Sequence, residues 1–193
     1  MIQLLVGLGN PGSEYTETRH NVGAWLVSAF AEQHNVALQV ERKFSGSCGT
    51  VVIKGIECKL LLPLTYMNLS GQAVHAVANY YKIPLNAILV VHDELDFTPG
   101  MVRLKCGGGH GGHKGLQDII RRFGSPDFYR LRIGIGHPGH KDLVANYVLS
   151  RPSCSDRDKI MLGIDKTLTI MPEIIQGKMD TAMQLLHGQE DLL

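Results

Sequence analysis

The chain opens on a short unbroken apolar run, "IQLLV" (2–6), the pattern of a strand buried on both faces. Helical spacing begins at Asn21, read as an N-cap, with Val22, Trp25, Leu26, Ala29 and Phe30 forming one apolar face. "GTVVI" and "CKLLL" flank "KGIE" and predict a hairpin. After "PLTYMNLSG" the spacing predicts a helix from about Gly71 to Lys82, with Val74, Val77, Ala78 and Tyr81 inward. "AILVV" (87–91) is a second buried strand and runs into "HDELD"; "MVRLKC" is a third, ending in "GGGHGGHKG". "LQDIIRRF" is helical and stopped by Gly124, "YRLRIGIG" (129–136) is the last strand, and the chain from Ser155 is helical, divided at Pro172 and Gly177. Strands interleaved with helices predict an α/β fold. We expect a single domain over residues 1–193: a twisted mixed sheet, mostly parallel, with helices on both faces. The hairpin is what makes it mixed. In such sheets ligands sit beyond the carboxyl ends of the parallel strands, so the loops after 2–6, 58–62, 87–91 and 101–106 mark the expected site edge.

Composition excludes several classes. A chain of 193 residues, 44% hydrophobic, can bury a substantial core, and a net charge of +1 taken over the whole length points to no partner. The first apolar stretch is short and broken by Gly7 and Pro11, so no signal peptide is expected; no apolar run reaches membrane length, and the four cysteines form no C-x-x-C pair. The expectation is a soluble, reduced, cytoplasmic protein. Gly7, Gly9 and Gly12 in "VGLGNPG" match the dinucleotide spacing G-x-G-x-x-G, the mark of an oxidoreductase. That motif needs a helix directly after the glycines, whereas "SEYTETRH" intervenes here. Pro11 removes a backbone donor, and the acidic partner would fall at Glu32 within a helix. A strand-exit turn is the better reading, although it leaves Asn10 unexplained. The second glycine cluster is no P-loop, because His113 stands where Lys is required. No G-x-S-x-G elbow occurs.

The histidines separate by context. "HGGH" (110, 113) and "HPGH" (137, 140) lack a third ligand at metal spacing, so no metal is expected. His34, His75 and His187 lie on helices or helix ends as surface or structural residues, and His92 either packs or supports its neighbour. His20, in "TRHN", and Asp93, at the end of an apolar strand, offer more. A carboxylate bonded to one imidazole nitrogen orients the ring and leaves the other to take a proton from water. No Ser or Cys stands as an evident nucleophile. Read singly, Asp93 is better taken as a helix or turn cap and His20 as a packing residue, and their placement at strand-end loops on one edge is what favours a site. Asn68 is a helix N-cap or, as a site residue, would donate to a carbonyl or position the attacking water. Between Met101 and Arg132 the basic residues Arg103, Lys105, Lys114, Arg121, Arg122, Arg130 and Arg132 face only Asp118 and Asp127. That asymmetry is the footprint of a phosphate-binding face, with Arg121 and Arg122 the most readily explained as solvated helix residues. A non-enzymatic RNA-binding module would use the same face and leave His20 and Asp93 without a purpose.

Five stretches, "VGLGNPGSEYTETRHNVGAW", "PLTYMNLSG", "HDELD", "GGGHGGHKGLQDI" and "RLRIGIGHPG", occur in an order and spacing that resemble bacterial peptidyl-tRNA hydrolases over nearly the whole chain. The resemblance implies a monomeric esterase that uses no cofactor and no metal. It would cleave the ester between a peptide and the 3′-terminal ribose of tRNA. By motif, His20 is the general base and Asp93 stabilises its protonated form. Asn10 joins them facing His20 and, with Asn68, contacts the peptidyl part and selects N-blocked substrates. Tyr15 and Tyr66 line the groove for the 3′ end, Lys105 and Arg132 clamp the 5′-phosphate, and His113 and Lys114 complete the surface for the acceptor stem. Lys114 stands where many members carry Asn.

Overall fold

In the computed structural model, which describes residues 1–187, thirteen principal elements form in chain order. They are β1 (Leu4–Gly7), α1 (Val22–Gln33), β2 (Gln39–Glu41), β3 (Gly46–Ile53), β4 (Ile56–Pro63), α2 (Ser70–Tyr81) and β5 (Ile88–Glu94). Then follow β6 (Val102–Cys106), α3 (Lys114–Phe123), β7 (Tyr129–Gly134), α4 (Val144–Val148), α5 (Cys154–Ile175) and α6 (Met179–His187). Residues 188–193 of the domain expected over the whole chain lie outside the described residues.

The strands make one seven-stranded mixed sheet in the order β2-β3-β4-β1-β5-β7-β6. The parallel pairings hold its centre, β4-β1-β5-β7, and the antiparallel ones its margins. They are equal in number, because the hairpin and the returning edge strands β2 and β6 each add an antiparallel neighbour. The predicted hairpin joins β3 and β4 through Lys54 and Gly55, both at positive φ, the two-residue turn that matches strand twist. β2, a three-residue edge strand, had no apolar run to announce it.

Alternation in the central strands feeds two cores. Leu5, Leu89, Val91, Leu131 and Ile133 face one side with α1, α5 and α6. Leu4, Val6, Ile88 and Val90 face the other with α2 and α3. Among the described residues no helix is long and apolar enough to cross a membrane. All four cysteines are free.

Three local expectations are corrected. Pro172 does not divide the C-terminal helix: α5 runs through it, and its last turn is held by buried Ile170, Met171, Ile174 and Ile175. The break comes at Gly177, at φ +81°, where a Cβ would lie 2.6 Å from the backbone nitrogen of Met1. α1 buries Gly23, Val27 and Ala31 beside Val22, Leu26 and Phe30, so its face is turned away from Trp25 and Ala29. Tyr81 is exposed, since α2 ends there in a left-handed C-cap at Lys82.

Candidate active site

The loop that follows β1 owes its shape to Asn21. Asn21 occupies the N-cap position but makes no capping bond. Its amide instead grips the backbone of Asn10 from both sides: Asn10 N–H donates to Oδ1 at 2.9 Å, and Nδ2 donates to Asn10 O at 3.0 Å. The glycines beside it serve packing. A Cβ on Gly7 would lie 2.5 Å from Gly23 O, so the β1 backbone and α1 touch where a pyrophosphate would have to enter. Asn10 is thereby fixed, and its Oδ1 accepts from Met67 N–H at 2.7 Å. One amide joins the loop after β1 to the loop after β4, and its Nδ2 makes no hydrogen bond among the described residues.

Asp93 sits one residue before the end of β5, two residues deeper into a strand than the apolar run indicated, because pairing with β7 continues to Glu94 and Gly134. It is buried, and one oxygen serves two imidazoles. His20 Nδ1 lies 2.8 Å from Oδ1 and His113 Nε2 lies 2.9 Å from the same atom. The tautomers follow from the neighbours. His113 Nδ1 accepts the backbone N–H groups of Gly115 and Leu116, capping α3, so its proton is on Nε2 and is donated to Asp93. His20 donates from Nδ1, which leaves its Nε2 lone pair open. His92 Nδ1 donates to the Asp93 carbonyl at 2.7 Å.

The electrostatics agree with those roles. Burial works against a charged His20, but the charge and hydrogen bond of Asp93 outweigh it and hold its pKa above the usual value. Burial would raise the Asp93 pKa, yet His20 and His113 together hold it well below the ordinary carboxylate range. Burial, with His113 next in size, pushes His92 down to about 3, so it stays neutral. His20, Asp93 and His113 bring three ligand-type atoms within 4.8 Å of one another. A cation there would need the Nε2 lone pair of His113 and would force its Nδ1 proton against two backbone donors. The donor set fits a hydrogen-bonded relay, not a metal.

Around this centre the structure brings some expected residues together and engages others elsewhere. Tyr15 and Tyr66 meet edge to face, ring centroids 6.4 Å apart, and Tyr66 is largely exposed. Asn68 is exposed in a 3-10 turn, Met67–Leu69, and makes no capping bond. Arg103, Lys105, Arg130 and Arg132 occupy alternate positions of paired β6 and β7 and so share one face of the sheet. Arg130 is buried there, donating to the carbonyls of Gly108 and Gly109 and shaping the glycine loop. Arg132 stacks on Phe97 at 4.6 Å and lies 3.8 Å from Glu94, so it is already held by an acid. Lys105 is exposed at the edge. Lys114 opens α3, exposed, with Nζ 3.4 Å from Gln117 Oε1. Arg121 and Arg122 both pair with buried Asp118, a structural role. The capping roles of His113 and the clamp by Asn21 escaped the sequence. The former had one signal, a residue set directly before the "KGLQDII" helix, but imidazole is not among the usual cap side chains.

Comparisons agree along the whole length. The family described as peptidyl-tRNA hydrolase matches residues 4–192. A peptidyl-tRNA hydrolase of Halorhodospira halophila is 54% identical over 186 residues, 96% of each chain. One from Legionella pneumophila is 52% identical over 188 residues, covering 97% of this chain and 100% of that one. The crystal structure of peptidyl-tRNA hydrolase from Acinetobacter baumannii superposes with a TM-score of 0.93 at 48% identity, over 96% of this chain and 94% of that chain.

Proposed function

The chain belongs to the peptidyl-tRNA hydrolase family and is a hydrolase of peptidyl-tRNA, and from that premise we propose how its residues do the work. His20 Nε2 takes a proton from water as the water oxygen attacks the ester carbonyl. The bond to the 3′-terminal ribose then breaks, and the ribose oxygen leaves with the proton that His20 returns. Asp93 keeps the ring oriented and stabilises the imidazolium between the two steps. His113, bonded to the same oxygen, holds Asp93 in place from the other side. The observation that carries this reading is the His20–Asp93 bond at 2.8 Å, which leaves the outward nitrogen unprotonated.

The substrate surface follows from what the protein leaves unused. Asn10 spends its carbonyl on Met67 N–H and keeps its amide donors for the peptide, and exposed Asn68 adds a second amide. An acyl group with a blocked amine presents a carbonyl acceptor where a free aminoacyl group presents an ammonium. Amide donors favour the first. Tyr15 and Tyr66 offer faces on which the 3′-terminal bases stack. Lys105, Lys114 and Arg132, beside the glycine amides, take phosphates of the acceptor stem, with Arg132 exchanging Glu94 for the 5′-phosphate. The protein would act as a monomer.

The direct test offers N-acetyl-aminoacyl-tRNA and unblocked aminoacyl-tRNA, each with and without a chelator. Cleavage of the blocked substrate alone, unaffected by chelator, is expected. Equal cleavage of both would remove the discrimination assigned to Asn10 and Asn68, and chelator sensitivity would contradict the relay. For the clamp, Lys105→Ala should weaken tRNA binding and lower the logarithmic salt slope by about 0.7–0.9, the share of one phosphate contact. An unchanged slope takes Lys105 out of the clamp.

A further inference from the structure

Arg19 precedes His20, and its side chain runs into the protein rather than out to solvent; the residue is only 7% exposed. Nη1 donates to Arg151 O at 2.7 Å and to Ser150 Oγ at 2.8 Å. The backbone N–H of Arg19 adds a bond to Ser150 O at 3.1 Å. The guanidinium lies over the Tyr147 ring, 4.1 Å from its centroid, and Nη2 is 3.8 Å from the Asp156 carboxylate. Tyr147 in turn donates its hydroxyl to Ile135 O at 2.7 Å, just past the end of β7. The partners of Arg19 run from the end of α4, at Tyr147, through Ser150 and Arg151 of the link to Asp156 in the first turn of α5.

An arginine is a costly group to bury, and an apolar pair would join two segments at least as firmly. What a planar fork adds is direction, since its donors accept partners only in fixed places. The 3-10 turn Arg19–Asn21 is three residues long and has no capping side-chain bond, so its place depends on the side chains it sends to other segments: Asn21 to the loop after β1, His20 to β5 and Arg19 to the end of α4 and the start of α5. We propose that Arg19 is a positioning residue for the hydrolysis: by tying this turn to the Tyr147–Asp156 segment, it fixes where the His20 ring stands against Asp93. The proposal rests on His20 being the base. The titratable groups facing His20 are Asp93 from β5 and His113 from the start of α3. Arg19 itself faces Asp156 from α5.

Losing Arg19 therefore acts through geometry. The raised pKa of His20 depends on close contact with Asp93, and a ring free to swing away titrates nearer its ordinary value. Hydrolysis of N-acetyl-aminoacyl-tRNA is measured against pH for the parent, Arg19→Gln, Arg19→Lys and His20→Ala, with thermal unfolding followed alongside. In Arg19→Gln, kcat should fall about 10–100-fold with KM within about twofold, and the acid limb should move down toward about pH 6.5. Arg19→Lys should recover part of both changes. A kcat loss with the limb unmoved, or a rise in KM alone, overturns the proposal. Ser150→Ala combined with Asp156→Asn keeps Arg19 and removes two partners; it should show the same shift at smaller size, and an unmoved limb there also overturns the proposal. An active His20→Ala would instead refute the base assignment. An inactive one with an unmoved Arg19 limb refutes the positioning alone.

Discussion

His20→Ala is expected to lower kcat by about 10²–10⁴-fold while tRNA binding stays within about twofold of the parent. The ring makes its one hydrogen bond to Asp93, and its removal leaves the basic edge and the tyrosines in place. Asp93→Asn should fall as far, for a different reason. One oxygen of Asp93 accepts from both imidazoles, and an amide turned to present its NH₂ would meet two N–H donors. Turned the other way it accepts, but it no longer stabilises the imidazolium. The pH dependence gives an independent check. A base must be neutral to work, so the rate should fall as pH drops through the His20 pKa, which Asp93 holds above the usual imidazole value. Turnover and tRNA binding at equilibrium, measured from about pH 5 to 8, decide the matter. Loss of binding with turnover intact at saturation would make His20 and Asp93 a recognition pair, and a flat profile would leave the hydrolysis without this base.

The sequence carried the parts of this site that depend on chain direction and local spacing. Unbroken apolar runs marked β1 and β5, parallel neighbours put their exit loops on one edge, and that edge holds His20 and Asp93. The charge asymmetry between Met101 and Arg132 marked the basic segment, and the pairing of β6 with β7 is what puts four of its cations on one sheet face. What stayed hidden depends on bonds between distant segments. Asn21 has the composition of a cap, yet its amide is worth more closing a loop eleven residues back, where two backbone groups would otherwise lack partners. Arg132 reads as a free cation, but pairing with β5 brings Glu94 beside it. Pro172 reads as a break, but its position in the last turns of α5, between buried isoleucines, makes tertiary packing stronger than the missing hydrogen bond.

Gly23→Ala should destabilise the protein by about 3 kcal/mol, although helix propensity alone predicts a gain of about 1 kcal/mol at that position. A Cβ on Gly23 would stand 2.3 Å from Val91 O and 2.8 Å from both the nitrogen and the oxygen of Leu8. These are backbone atoms already committed to each other: Leu8 N–H donates to Val91 O, and Ala24 N–H donates to Leu8 O, each at 3.0 Å. None can retreat without breaking a buried bond, so α1 must lift from the sheet. Its first residues follow the turn that carries His20, so the variant that folds should also lose activity. Against the scale of this chain the expected fall in Tm is about 6–12 °C. Ser28→Ala, an exposed position on the same helix, should change stability by no more than about 0.5 kcal/mol. A Gly23→Ala protein that melts at or above the parent would mean the helix rests less closely on β1 and β5 than these contacts require. In that case the glycines of "VGLGNPG" would need a reason other than the close approach that brings His20 to Asp93.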